Sequence, residues 1–536
     1  MVAEVPVLAG IAASSPAGLL IITILLTPAA GGILVFLSRN KRAAELVTLV
    51  SATLVLIQAM ALVAAVLAEK QISAFGQLFY LDSFGALVLL PIAGIGFVSA
   101  LYSINYMGKQ YDRNMVDAKQ LQRYYQAINI FLLTMLLVPL SNNLGIMWVA
   151  IEATTLVSVL LIMLYTKESA IEASWKYLII ATVGLSFALF GVVFFYYANS
   201  TVQATNTQSA MNWTDLVAHA KILDPNIVKV AFVFVLIGLG TKAGLAPMHS
   251  WLPDAHSEAP TPVSALLSGV LLNCATYGIL RYHIVAIGSL GQSFSSMLLV
   301  VLGIVSVGIA AASIYFQKDM KRMLAYSSVE HMGIISIAMG FGGFLAIYGA
   351  LLHIINHSIA KPLMFFASGT ASQRYGTKAM ANIRGIIQTM PVLGVLLLIG
   401  AFAIAGMPPF NIFVSEFLIL SSGFASGQYL AISIVIGLLI LVFAGFMRHI
   451  VRMVFGSPVE SLKMSYSEGG SLMEASRLEK NQSYKLAIIP MLILAAFVVI
   501  LGFYIPQQLH TLAVNVSEIF GQTSSSGIGQ NHGGVT

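Results

Sequence analysis

Apolar runs of about twenty residues recur along almost the whole chain, and a helix needs a run of that length to cross a bilayer. Fourteen such spans can be read in the sequence. Their centres lie near Ile24, Leu56, Pro91, Leu133, Thr155, Leu185, Phe234, Val270, Leu302, Ile334, Ile355, the Leu397 to Leu420 region, Ile436 and Ala495. Only 9% of the 536 residues are charged and 58% are hydrophobic, against roughly 25% charged in a soluble domain. The pattern predicts an all-α polytopic membrane protein built as one continuous bundle, without a soluble domain. Cys274 is the single cysteine and sits in an apolar span, so neither a disulfide framework nor a cysteine-ligated iron–sulfur cluster can form. No cofactor is expected, and redox chemistry belongs to partner subunits. The first residues carry Glu4 and no basic residue, unlike a cleaved signal peptide, so the first span is expected to stay.

Basic residues orient the bundle. Loops after odd-numbered spans collect clusters such as Arg39, Lys41 and Arg42, Lys318, Lys321 and Arg322, or Lys463, Arg477 and Lys480. Loops after even-numbered spans hold Lys70, Lys221, Lys229 and Arg281. The positive-inside rule places the odd loops in the cytoplasm and both termini outside, in a cell (inner) membrane. The same bias explains a pI of about 9.1 through contact with anionic lipid. No basic, aromatic-interleaved patch suggests nucleic acid.

Within this apolar background, a few ionisable residues need explanation. The stretch TKAGLAPMHSWLPDAHSEAPTPVSALLSG, from Thr241 to Gly269, puts Lys242 and the helix breakers Pro247, Pro253, Pro260 and Pro262 into an apolar run. Backbone broken at membrane depth is tolerated only where protein or water satisfies it. A lysine there costs about 2.5 kcal/mol or more on an insertion scale, so broken helix plus ion reads as a transport site. Glu152 lies near the middle of the fifth span with no basic residue in its own helix. It is expected to face the bundle and meet a cation from another helix. In the polar turn that follows Lys242, His249, Asp254, His256 and Glu258 have no HxH or HxxxH spacing that would orient metal ligands. Capping and loop structure explain most of them, with His249 a candidate member of a water chain.

The tenth span contains Glu330 and His331, and the eleventh carries His353, His357 and Lys361 at i, i+4 and i+8, one stripe of a helix face. Histidine exchanges protons near neutral pH and burial brings a lysine toward that range. The row therefore suits a proton relay. Two histidines four apart could instead ligate haem or zinc; the relay is the preferred reading. The twelfth span, GMPPFNIFVSEF, breaks at Gly406 to Pro409 and places Glu416 beyond the break. Two broken helices five spans apart, each with one ion, predict two inverted five-helix repeats. The expected divisions are residues 1–126 for spans 1 to 3, 127–290 and 291–456 for the repeats, and 457–536 for a cytoplasmic loop, the last span and a polar, disordered tail. Asn199 to Asn226 is expected as the longest external loop, and its two glycosylation-like triplets as chance matches.

These segments together, KAGLAPMHSWLPDAHSEAPTPVSALLSG, the Glu152 helix, HIINHSIAKPLMFF and GMPPFNIFVSEF, resemble the antiporter-like, proton-translocating subunits of respiratory complex I and the Mrp sodium/proton antiporters. Within that superfamily, HSEAPTPVSALLSGVLLNCA and SSVEHMG are most similar to the hydrogenase-4 component F branch of group 4 nickel–iron hydrogenases and formate hydrogenlyases. The resemblance implies a Glu152–Lys242 pair, a central relay of His353, His357 and Lys361, and Glu416 as terminal group, where some relatives carry lysine. Glu330, His331 and His249 are secondary candidates. Relatives often have lysine or histidine where this chain has Asn273, so the link from Lys242 to the central row must use water, His249 or His331. The long lateral helix of the largest members is expected to be absent. The implied partners are other membrane-arm subunits and a peripheral redox arm, hydrogenase-like or linked to ferredoxin, NADH or formate. The alternatives are a sodium/proton antiporter subunit or a membrane subunit for inorganic-carbon uptake.

Overall fold

The computed structural model describes residues 16–38, 40–202, 209–457 and 485–525. Arg39, Lys463, Arg477, Lys480, nearly all of the expected cytoplasmic loop and most of the polar tail lie outside the described residues.

The chain is a helical bundle: α1 (Pro16–Leu37), α2 (Lys41–Glu69), α3 (Ser83–Asp112), α4 (Ala118–Leu140), α5 (Leu144–Ile162), α6 (Glu168–Val202), α7 (Pro225–Ala243) and α8 (Thr261–Leu290). It continues through α9 (Ser293–Phe316), α10 (Met320–Phe341), α11 (Gly343–Tyr375), α12 (Pro391–Ile404), α13 (Asn411–Ala425), α14 (Tyr429–Phe455), α15 (Lys485–Phe503) and α16 (Gln507–Ser525). Each expected span centre falls on its own helical segment. Among the described residues, twelve stretches are long and apolar enough to cross a membrane. The other two segments are α10, diluted by Lys321, Arg322, Glu330 and His331, and the two short halves α12 and α13. Length and hydropathy alone therefore do not establish a count of fourteen.

Short polar residues start the helices where the sequence turns polar. Asp82 accepts from the Gly85 amide at 2.9 Å to cap α3, Asp117 forms a reciprocal capping box with Gln120 on α4, and Asn143, Asp224 and Asp319 cap α5, α7 and α10. Each satisfies amides that the first turn cannot pair. The rim helices expose large apolar side chains such as Phe36, Phe187, Phe316 and Leu430, as a lipid-facing belt requires. In contrast, the apolar window of α8 is 100% buried, against 28% for α14, so α8 is the most enclosed of these spans.

Several expectations are corrected. Arg281, expected in a loop, lies within α8 and is 3% exposed. Its guanidinium makes a bidentate ion pair with Asp82 (2.7 and 2.6 Å) and lies 4.0 Å from the Trp213 ring centroid. Basic character alone points to a loop, but a buried carboxylate and an aromatic cage make the interior tolerable for a guanidinium. Lys321, also expected in a loop, is in the first turn of α10 and buried. Asn199 belongs to α6 and is buried, donating to the Ala210 carbonyl at 3.0 Å, so the loop begins later than expected. The antiparallel hairpin β1 (Gln71–Ala74) and β2 (Phe79–Asp82) and the helix α16 were not foreseen. α16 packs on the bundle through Asn515, which donates to Ser83 at 3.1 Å, and through Phe520 against His283.

Candidate functional site

The two broken helices share a construction. α7 ends at Gly244, in the left-handed region at φ 78°, and α12 is followed by Gly406 at φ 64°. A proline follows three residues later in each case, Pro247 and Pro409. Glycine suits Gly406 because its positive φ disfavours a side chain, and a Cβ there would make the Glu416 carboxylate swing aside. The break thus presses a backbone directly against the carboxylate.

Lys242, one residue before the end of α7, is fully enclosed. Its Nζ donates to Thr155 Oγ1 at 2.7 Å and to the Tyr177 hydroxyl at 2.5 Å. Tyr177 in turn donates to Ser158 at 2.9 Å, because the Ser158 hydroxyl hydrogen is committed to the Thr154 carbonyl. Glu152 does not pair directly with Lys242. Its Oε1 accepts from Thr182 at 3.0 Å and its buried Oε2 has no hydrogen-bond partner. Glu152 nevertheless remains the charged neighbour whose field reaches Lys242. It sits one turn before Thr155 on α5, so the two ions are linked through the hydroxyl side of that helix. The half-buried Glu152 stands nearer the rim of the bundle than the lysine does.

The stripe on α11 points inward as expected: His353, His357 and Lys361 are each fully buried. What the linear pattern could not show is their partners. His331 on α10 brings Nδ1 to 3.0 Å from Nε2 of His353, and Nδ1 of His353 lies 3.0 Å from the Ser415 hydroxyl on α13. Ser415 donates its one hydrogen to the Ile412 carbonyl at 2.9 Å, so it accepts from His353. This fixes the direction of the chain: His353 carries its proton on Nδ1 and accepts from His331 at Nε2. The series His331, His353, Ser415 is therefore an aligned donor–acceptor chain. Its free acceptor is Nε2 of His331, which is buried and has no partner. Donor atoms of His331, His353 and Glu416 lie within 4.8 Å of one another. That set could also hold a cation.

At the other end of the stripe, Lys361 donates to the Leu324 carbonyl at 3.3 Å and to Ser327. Glu330 is buried beside it as its charged neighbour, with Oε2 unpaired. Both ring nitrogens of His357 are also unpaired. Buried polar atoms of this kind are ordinarily satisfied by water. Asn273 stands at the join between Lys242 and the central row. It donates to Ser358 of α11 at 2.7 Å and to the Gly269 carbonyl at 2.9 Å. The stretch beneath it, Leu267–Leu271, is a π-helical turn, which frees carbonyls for such contacts. His249 is half-buried and rests edge-on to Tyr326; no contact joins it to Lys242 or to the stripe. Sequence reading missed Tyr177, Thr155, Ser327 and Ser415, because hydroxyls in apolar helices carry no signal until the facing helix is known.

Residues 141–441 match the transmembrane family described as NADH:quinone oxidoreductase/Mrp antiporter. A hydrogenase-4 component F homologue of Methylacidiphilum infernorum is 43% identical over 383 residues, covering 72% of this chain and 80% of that protein. Other curated relatives are longer, and the chain spans 52% and 42% of two of them. Among solved structures, a chain of an archaeal membrane-bound sulfane sulfur reductase, a respiratory membrane complex, superposes with a TM-score of 0.78 at 25% identity. A chain of the Mrp complex of Dietzia sp. superposes with 0.79 at 21%. Both alignments cover 95% of this chain and 98% of the other. The chain is therefore an antiporter-like, multi-pass membrane protein belonging to the NADH:quinone oxidoreductase/Mrp antiporter family.

Proposed function

We propose that the protein carries protons through a row of buried bases and acids, as one membrane subunit of a redox-driven complex. In that complex, electron transfer in hydrogenase-like or complex I-like partners drives the movement. The observation that carries this reading is the directed chain from His331 through His353 to Ser415, ending beside Glu416 at the broken helix. A proton arriving at Nε2 of His331 releases the Nδ1 proton to His353, which then holds it close to the Glu416 carboxylate, the next acceptor; Ser415, whose own hydrogen is on the Ile412 carbonyl, orients His353 and passes no proton on. Lys361 and Glu330 supply the donor end of the row, while Lys242 and Glu152, linked through the hydroxyl side of α5 and not by a direct ion pair, are the two ions of the first repeat. Moving charge near Glu152 changes the proton affinity of Lys242 through Coulomb coupling in a low-dielectric interior. Protons therefore shift in response to charges set elsewhere in the complex. Asn273 cannot itself carry a proton, so its amide orients Ser358 and water between the two halves.

The basic-loop side is assigned to the cytoplasm by the positive-inside rule. The two repeats, 127–290 and 291–456, are read as oppositely inserted halves that open to opposite sides. The residues that would hold a proton are Glu152, Lys242, Glu330, His331, His353, His357, Lys361 and Glu416. In sealed vesicles containing the assembled complex, Lys361→Met is expected to abolish redox-driven acidification with assembly intact. Wild-type acidification by that variant would remove the row from the mechanism.

A further inference from the structure

On the basic-loop side of the bundle, a second set of buried ionisable groups leads to Lys361 without touching Lys242. Lys321, in the first turn of α10, is 3% exposed, and its Nζ donates to the Ala259 carbonyl at 2.6 Å. The Ser264 hydroxyl lies 3.4 Å from the same nitrogen and donates to the His256 carbonyl at 2.8 Å. The His256 ring is fully buried, stacks on Phe365 with centroids 5.5 Å apart, and has the Ser264 backbone as a close polar neighbour without a hydrogen bond of full geometry at either nitrogen. Phe365 is one turn from Lys361 on α11, and the Nζ of Lys361 reaches the Leu324 carbonyl, one turn beyond Lys321 on α10. A helical turn advances about 5 Å, so the two lysines occupy adjacent levels of the same seam. Both are charged neighbours of His256. Near Lys321, the half-buried Glu258 and Asp319 border the surface: Glu258 pairs with Lys378 at 3.2 Å, and Asp319 accepts from Ser257 at 3.3 Å.

A structural lysine would be expected to end in an ion pair, and a structural histidine to bond at least one ring nitrogen. Lys321 is bonded only to neutral oxygens, and His256 has two lysines as neighbours and no full hydrogen bond at either ring nitrogen. This is a poor arrangement for stability and a suitable one for exchanging protons through intervening water.

We propose that Lys321 and His256 form a proton-uptake branch leading from the Glu258–Asp319 surface directly to Lys361. It supplies the second repeat independently of Lys242 and bypasses the asparagine at position 273. Each step moves one proton between nitrogen bases: Lys321 gives its proton to His256, His256 gives the proton on its far nitrogen to neutral Lys361, and Lys321 is refilled from the surface. The branch rests on the proton-carrying function proposed above.

Two substitutions separate carrying a proton from holding a shape. Arginine keeps the charge and the donors of Lys321 but does not release its proton. Phenylalanine keeps the stacking of His256 without its nitrogens. The native complex is sealed into vesicles, a pH step is imposed across the membrane, and proton uptake from the basic-loop side is followed with a pH-sensitive dye. Lys321→Arg and His256→Phe are each expected to lower the uptake rate about ten-fold with assembly unchanged, the lower end of what a positioned proton-transfer group contributes. Uptake at the wild-type rate in either assembled variant would overturn the branch. If one variant fails to assemble, the other decides. Absence of proton flux in the wild-type complex would instead contradict the proposed function itself, so the two failures are distinguishable.

Discussion

Nδ1 of His331 lies 3.0 Å from Nε2 of His353, and these two rings from neighbouring helices are the only direct contact between histidines among the described hydrogen bonds. With the Ser415 hydrogen on the Ile412 carbonyl, Ser415 accepts from His353, and the hydrogen bonds then run from α10 to α13. Replacing His353 with glutamine keeps a polar side chain of similar reach but cannot take up a proton. Translocation should fall about 100-fold, within the range a positioned proton-transfer group contributes, while assembly is retained. Retention of more than half the wild-type rate would show that protons pass around the histidine pair.

Lys242 makes both of its hydrogen bonds to hydroxyls. Lys242→Met should abolish translocation and leave assembly intact, since methionine fills the same apolar space without a buried charge. Tyr177→Phe removes one acceptor from the ammonium while keeping the ring against Trp251. The loss should be about 1 to 3 kcal/mol of stabilisation of the charged lysine, read as a shifted pH profile of proton flux with the melting temperature nearly unchanged. A fall in melting temperature with no change in the profile would make Tyr177 a packing residue.

The broken helices, the inward histidine stripe and the isolated Lys242 were legible in the sequence because each violates the rule that intramembrane helices are apolar and unbroken. Arg281 was misplaced because charge counting assigns basic residues to loops, and only the fold shows that Asp82, 199 positions away, is there to meet it. Lys321 was misread for the same reason. The hydrogen-bonded order of His331, His353 and Ser415 depends on how three helices are rotated against one another, which no periodicity within a single helix encodes. The α16 helix was overlooked because its polar face lowers its hydropathy below that of a span.

The Arg281–Asp82 pair is a structural prediction of a different kind. Asp82→Asn keeps the cap on α3 but leaves the guanidinium buried without its counter-ion, which should cost about 3 to 5 kcal/mol. Thermal unfolding of the assembled protein is the readout. The double substitution Asp82→Leu with Arg281→Leu should be less destabilising than the sum of the single ones, as expected for two residues in direct contact. Additive effects would mean that the pair is not coupled.

Gly406→Ala should both strain the left-handed turn, by about 1 kcal/mol or more, and push the Glu416 carboxylate from its place. Proton release is expected to slow while uptake on the opposite side is unaffected at early times. Equal slowing of both would indicate a general folding defect.

In the proposed path, protons leave the row through Glu416. Glu416→Gln preserves the shape and polarity of the side chain beside Gly406 but removes the titratable group. In vesicles containing the assembled complex, single-turnover uptake on the basic-loop side and release on the opposite side can be timed with dyes confined to each compartment. The expected result is uptake of a first proton at the normal rate with release abolished. Normal release by Glu416→Gln, at normal assembly, would contradict the assignment and place the exit elsewhere.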